Sequence, residues 1–194
     1  MQQQVKWTLK CIEFYFIHNE SFQEVLVMVK TLIEFYYHFL HMRHYFECHE
    51  IMEDAWKEKS VRTKHDVEVG LILLATSQYH LRRGNKNGAR TCLKKSHHIL
   101  QAYTLTEIGL QDSTLPLLEA NMMSDGYTPL DLPLTDDMYQ AIIKVHPDFS
   151  VNHETDAQWI HYHRTRDRSD VIAARLRSMR DKHPVDNAPD KRHD

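Results

Sequence analysis

Asp66-Val-Glu-Val-Gly-Leu-Ile-Leu-Leu-Ala-Thr-Ser-Gln-Tyr-His-Leu-Arg-Arg-Gly84 is the stretch that decides the fold class. From Gly70 to Ala75 no polar residue intervenes, so a helix here is apolar around its whole circumference and predicts the most buried element of the chain. Gly84 ends the run where a left-handed C-cap is required. Asn85 can cap a further helix running to about Tyr103, in which Ala89, Leu93, Ser96, Leu100 and Tyr103 step by alternating fours and threes. The pattern predicts a helix hairpin at the centre of an all-α bundle, with Gly88 expected to admit a neighbouring helix.

On the N-terminal side, Tyr45 to Glu58 reads as a helix, and Ser21-Phe-Gln-Glu24 fits a capping box that opens an earlier one. There Phe22, Val25, Val29, Ile33, Tyr36 and Leu40 keep helical spacing and predict one buried stripe. Val5 to His18 is aromatic-rich. Downstream, Asp112-Ser113 can cap a short helix to about Met122, Ser124 to Pro133 reads as a loop, and Asp136 or Asp137 begins a helix that ends before His146-Pro147. Ser169 to Lys182 reads as a charged helix and His183 to Asp194 as a solvated, disordered tail. The expected organisation is an N-terminal extension over 1–27, a helical domain over 28–145, and a C-terminal extension over 146–194.

Composition agrees with this. The 194 residues include 5 Gly and 6 Pro, too few turn residues for a strand-rich fold of this size. No apolar run approaches the roughly 18 residues of a membrane span, so a soluble protein is expected. Met1 to Glu20 lacks the pattern of a secretory signal, and Cys11, Cys48 and Cys92 are too far apart for a C-x-x-C pair or a disulfide framework. A cytoplasmic location follows as an expectation. The formal charge of -3 carries no long basic block, so no nucleic-acid partner is expected. The 15 His make that charge sensitive to pH.

Chemistry concentrates in Tyr45-Phe-Glu-Cys-His-Glu-Ile-Met-Glu-Asp-Ala-Trp56. At about 100° per residue, His49 and Glu53 lie roughly 40° apart and Trp56 about 20° from His49 on the other side. That face also carries Tyr45, Phe46 and Met52, which places an imidazole and a carboxylate on a core-facing stripe. His80, on an inward stripe of the next helix, is the expected third partner. Two imidazoles and a carboxylate suit tetrahedral zinc with an open position or a non-haem iron site, with Glu50 as the nearest base. Trp56, Tyr79, Arg83 and Asn85 are the expected pocket residues. Two other readings stay open: a structural polar cluster, with Glu53 held by His49, His80, Tyr79, Arg82 or Arg83, and metal-free acid-base chemistry. The spacing is neither the zincin His-Glu-x-x-His nor the paired Glu-x-x-His of ferritin-like sites. His97-His98, His161 with His163, and the Arg-rich run from Arg164 to Arg180 read as solvated. Gly84-Asn85 with Gly88 reads as a helix-helix turn and not as a phosphate loop.

His49-x-x-x-Glu53-x-x-Trp56, preceded by Tyr45-Phe46-Glu47 and followed by Gly70-Leu71-Ile72, Tyr79-His80-Leu81-Arg82-Arg83-Gly84-Asn85 and Gly88-Ala89, resembles the domain of unknown function 309 family of bacteria and archaea. The likeness is close from about Thr31 to Tyr103, and Arg166 to Val171 is similar to tails on Bacillus-type members. The resemblance implies a small all-helical bundle, a biochemical role not yet assigned, and metal binding by His49 and Glu53. Glu50, His80, Gly84 and Asn85 match the family's usual surroundings. It also implies a start near Met28. Two functions follow as expectations. One is a metal-dependent hydrolase acting on a small molecule with zinc or iron at His49, Glu53 and His80. The other is a non-catalytic helical scaffold offering a groove to a protein partner, with Tyr79, Gly84 and Ala89 spaced rather like a tetratricopeptide unit, although no 34-residue repeat is present.

Overall fold

Gly70 sits where the two helices of the central hairpin pack closely together. A Cβ placed there would lie 2.9 Å from Leu100 Cδ2 and 3.2 Å from Ile99 Cγ2, so any larger residue would make the Leu100 and Ile99 side chains shift. Ser96 Oγ donates to Gly70 O at 2.8 Å across the same contact. The computed structural model describes residues 22–124, 126–154, 156–162 and 169. The chain divides after Ile160 into two units, Met1–Ile160 and His161–Asp194.

The elements of the first unit are α1 (Phe22–Tyr36), a π-helical turn (Tyr37–His41), α2 (Tyr45–Glu58), α3 (Val67–Arg82), α4 (Lys86–Leu100), a 3-10 turn (Leu105–Ile108), α5 (Thr114–Met122), α6 (Asp136–Val145) and α7 (Ala157–Ile160). No strand occurs among the described residues; one isolated antiparallel bridge joins Leu110 to Leu134. The fold is all-α. None of these helices is long and apolar enough to cross a membrane. The expected segment Val5 to His18, the Ser21 cap, the charged helix beyond Ser169 and the C-terminal tail lie outside the described residues.

α3 and α4 form the hairpin, with α2 packed on α3, and α1 on α2 and α6. Leu71, Leu74 and Ala75 of α3 are fully buried, as are Leu100 of α4 and Tyr45, Cys48 and Met52 of α2. Each large apolar side chain removed from water in this way stabilises the fold by about 1.5–3 kcal/mol. The hairpin turn forms as its residues require. Gly84 has φ +76, Asn85 N donates to His80 O at 3.0 Å, and the Asn85 side chain accepts from Gly88 N at 3.0 Å. That last bond corrects the expectation for Gly88. A Cβ there would meet Asn85 Nδ2 at 2.5 Å, so the residue makes room for its own helix cap and not for a neighbouring helix.

The α1 stripe is buried through Leu32, Ile33, Phe35 and Tyr36, and the π-helical turn adds Phe39 and Leu40 to it. Arg43 follows, fully buried and in the left-handed region at φ 51. Its guanidinium donates to Leu130 O at 2.8 Å and Phe39 O at 3.3 Å, and bonds Asn152 O and the Asp131 carboxylate. One buried cation thereby satisfies carbonyls of two distant loops and of the π-helical turn that precedes it.

Candidate metal centre

α2 offers one ligand atom each from His49, Glu50 and Glu53, and these lie within 4.8 Å of one another. Helix geometry explains this: His49 and Glu53 are one turn apart on one face, and Glu50 is next to His49. His49 Nδ1 is 3.1 Å from Glu50 Oε1, and Glu53 Oε2 is 3.3 Å from Lys57 Nζ. The side chains are 32%, 32% and 35% exposed respectively, so the group is open to water on one side. This corrects the face assignment. The core of α2 is Tyr45, Cys48 and Met52, and His49 and Glu53 stand on its flank, where an ionised carboxylate keeps part of its hydration.

His80 is outside this group, which is the one set of three such ligands among the described residues. It lies at the last turn of α3, where its Nδ1 accepts from the Asn85 side-chain amide at 3.3 Å. Burial, and then the charge of Arg83, lower its pKa from the ordinary imidazole value, favouring a neutral ring. Asn85 therefore acts as a brace for His80 and a cap for α4.

An aromatic wall runs from the ligand group toward the hairpin turn. The Phe46 ring stacks on His49 with centroids 6.1 Å apart, and meets the Tyr79 ring edge-on at 6.1 Å. Above Tyr79 lies the Arg83 guanidinium, 5.3 Å from the ring centre. Trp56 bounds the other end. Its Nε1 donates to Asp66 Oδ2 at 3.0 Å and to Thr63 O at 3.2 Å. Burial pushes the Asp66 carboxyl upward, but the Thr63 amide and hydroxyl, Lys59 and Trp56 together outweigh it and hold it below the usual carboxylate value. Beneath, Lys59 pairs with fully buried Glu68 at 3.1 Å.

A second polar assembly is one that sequence reasoning missed. Arg82 donates to Arg43 O at 2.7 Å and Trp159 O at 2.9 Å, and its guanidinium lies 4.9 Å above Tyr45, whose hydroxyl is 2.9 Å from that of Tyr127. The Trp159 ring stacks on His44 at 4.0 Å. Burial first, then the charges of His38 and Arg82, bring the His44 pKa down to about 4. Arg43 and Arg82 both donate to backbone carbonyls far away in sequence, Leu130 O and Asn152 O for the first and Arg43 O and Trp159 O for the second, and no local motif signals such contacts.

The family model for a domain of unknown function, DUF309, matches residues 32–92, which span α2, α3 and the first half of α4. A Bacillus subtilis (strain 168) protein described as "Uncharacterized protein YpuF" is 32% identical over 165 residues, covering 77% of this chain and 94% of that one. This chain belongs to the domain of unknown function 309 family. No solved structure matches it. The family segment carries every residue of the candidate centre, from His49 through Asn85.

Proposed function

We propose that this DUF309 protein binds one divalent metal ion through His49, Glu50 and Glu53, and uses it for hydrolysis of a small-molecule substrate. The observation that carries the reading is the convergence of one imidazole nitrogen and two carboxylates within 4.8 Å on a solvent-facing flank of α2. One nitrogen and two oxygens suit zinc or ferrous iron, and three protein ligands leave coordination positions open to water and substrate. When bound, such an ion supplies Lewis acidity and a nucleophilic water at neutral pH.

The chain's own residues define the rest. Phe46 stacks on the His49 ring and fixes its plane. Lys57 pairs with Glu53 at 3.3 Å and would compete with a bound ion for that carboxylate. Glu50 joins the ligands here, in place of the general-base role its position beside His49 first suggested. His80, neutral and held by Asn85, remains the proton-handling group nearest the end of the aromatic wall.

The test is titration of metal-free protein with zinc and with ferrous iron, read by calorimetry. Wild type and His80→Gln should bind one ion with equal affinity, and Glu53→Gln should lose at least 10-fold. Affinity that falls with His80→Gln and not with Glu53→Gln overturns the ligand set. A folded wild type that takes up no ion leaves the scaffold reading, in which His49–Glu50 and Glu53–Lys57 are surface ion pairs on a helical platform.

A further inference from the structure

α7 closes over a histidine that acid would charge. His44 is 4% exposed and faces three elements: the His38 ring of the π-helical turn, with its centroid 6.0 Å away, Arg82 of α3, and the Trp159 ring of α7, stacked at 4.0 Å and 22°. Behind His38 stand Glu34 and His146. The two groups that act on a His44 charge, His38 and Arg82, are both basic, so a proton there loses hydration and meets like charge together. Trp159 also holds Arg82, whose guanidinium donates to its carbonyl at 2.9 Å.

Of the elements around His44, α7 gives way most readily. It has four residues and none of them is buried, whereas Phe39 and Leu40 of the π-helical turn and Leu81 beside Arg82 belong to the core. Elements with few buried contacts open first. The segment leading to α7 is fastened separately. His146 Nε2 is 2.9 Å from Glu34 Oε1, His41 Nε2 is 3.7 Å from Asp148 Oδ2, and Asn152 N donates to Leu40 O at 2.9 Å. Protonating His146 or His41 puts charge beside a carboxylate, while protonating His44 puts it beside Arg82.

We propose that α7 is an acid-released latch: a proton on His44 lifts Trp159 off the imidazole, frees Arg82 from Trp159 O, and leaves residues 146–152 in place. The closed latch holds His44 neutral with a pKa of about 4, and opening returns it toward roughly 6.5. Closure is therefore favoured above the upper value and is lost as pH falls toward the lower one. The open-to-closed ratio should rise roughly 15-fold from about pH 6.5 to about pH 5.

The experiment uses the full chain with Trp7→Phe and Trp56→Phe, which leaves Trp159 as its single tryptophan. Emission and acrylamide quenching are followed from about pH 7.5 to about pH 4, with circular dichroism and hydrogen exchange at the Asn152 amide in parallel. Trp159 should shift to longer wavelength and open to acrylamide below about pH 6.5, while helix content and Asn152 protection hold. His44→Gln and His44→Phe should each abolish the transition, and His146→Gln should leave it. Quenching without a red shift or acrylamide access means an imidazolium kept on the indole by cation–π attraction, and overturns the proposal. A Trp159 transition that coincides with loss of helix, or one that survives in both His44 variants, overturns it as well.

Discussion

Arg43 shows how much a single side chain holds. It is the largest fully buried residue, its backbone is left-handed, and its donors reach carbonyls 87 and 109 residues away. Arg43→Met keeps much of the volume but strands Leu130 O and Asn152 O without their donor, and should cost about 3 kcal/mol in urea unfolding. A loss under about 0.5 kcal/mol would remove Arg43 from its place as the loop clamp. At this scale the sequence revealed local groups and concealed distant ones. His49, Glu50 and Glu53 are one turn of one helix, so their proximity follows from spacing alone. Whether His80 reaches them depends on the register of α3 against α2, which no periodicity encodes. Arg43 sits between His and Met residues with no glycine to announce its left-handed backbone.

Elements were more legible, because capping and periodicity are properties of a few neighbouring residues. α2 and the α3–α4 turn fall where the Tyr45 to Glu58 pattern and Gly84-Asn85 place them. Gly84 has open space around its Cα, so a substitution there meets backbone strain and no clash. Gly84→Ala should therefore destabilise by about 1 kcal/mol, with Gly84→Asn milder, measured as a lower urea midpoint at unchanged slope. Gly70→Ala differs in kind: its Cβ would press on Leu100, and the expected loss is about 1–3 kcal/mol through repacking of the hairpin. The π-helical turn at Tyr37–His41 escaped sequence reading because its aromatic and aliphatic residues continue the α1 pattern without a break.

For the whole molecule, the abundant histidines set a pH dependence with a definite sign. His44 is 4% exposed and its pKa is about 4 in the folded chain, against roughly 6.5 when unfolded. Between those values the unfolded chain binds the extra proton, so stability rises with pH and falls on acidification. Burial lowers the pKa of His38 and His80 as well, which adds to the same slope. From pH 6.5 to pH 5, His44 alone should remove about 1.5 kcal/mol of unfolding free energy. His44→Phe, which retains a ring against Trp159, should flatten that part of the profile; an unchanged slope would show that His44 is not the group responsible.

The proposed chemistry stands or falls with its ligand set, and X-ray absorption at the zinc edge of the loaded protein measures that set directly. The expected first shell is one imidazole nitrogen at about 2.0–2.1 Å and carboxylate oxygens at about 2.0–2.2 Å, from His49, Glu50 and Glu53. A shell with two imidazoles, or a protein that retains no zinc, would contradict it.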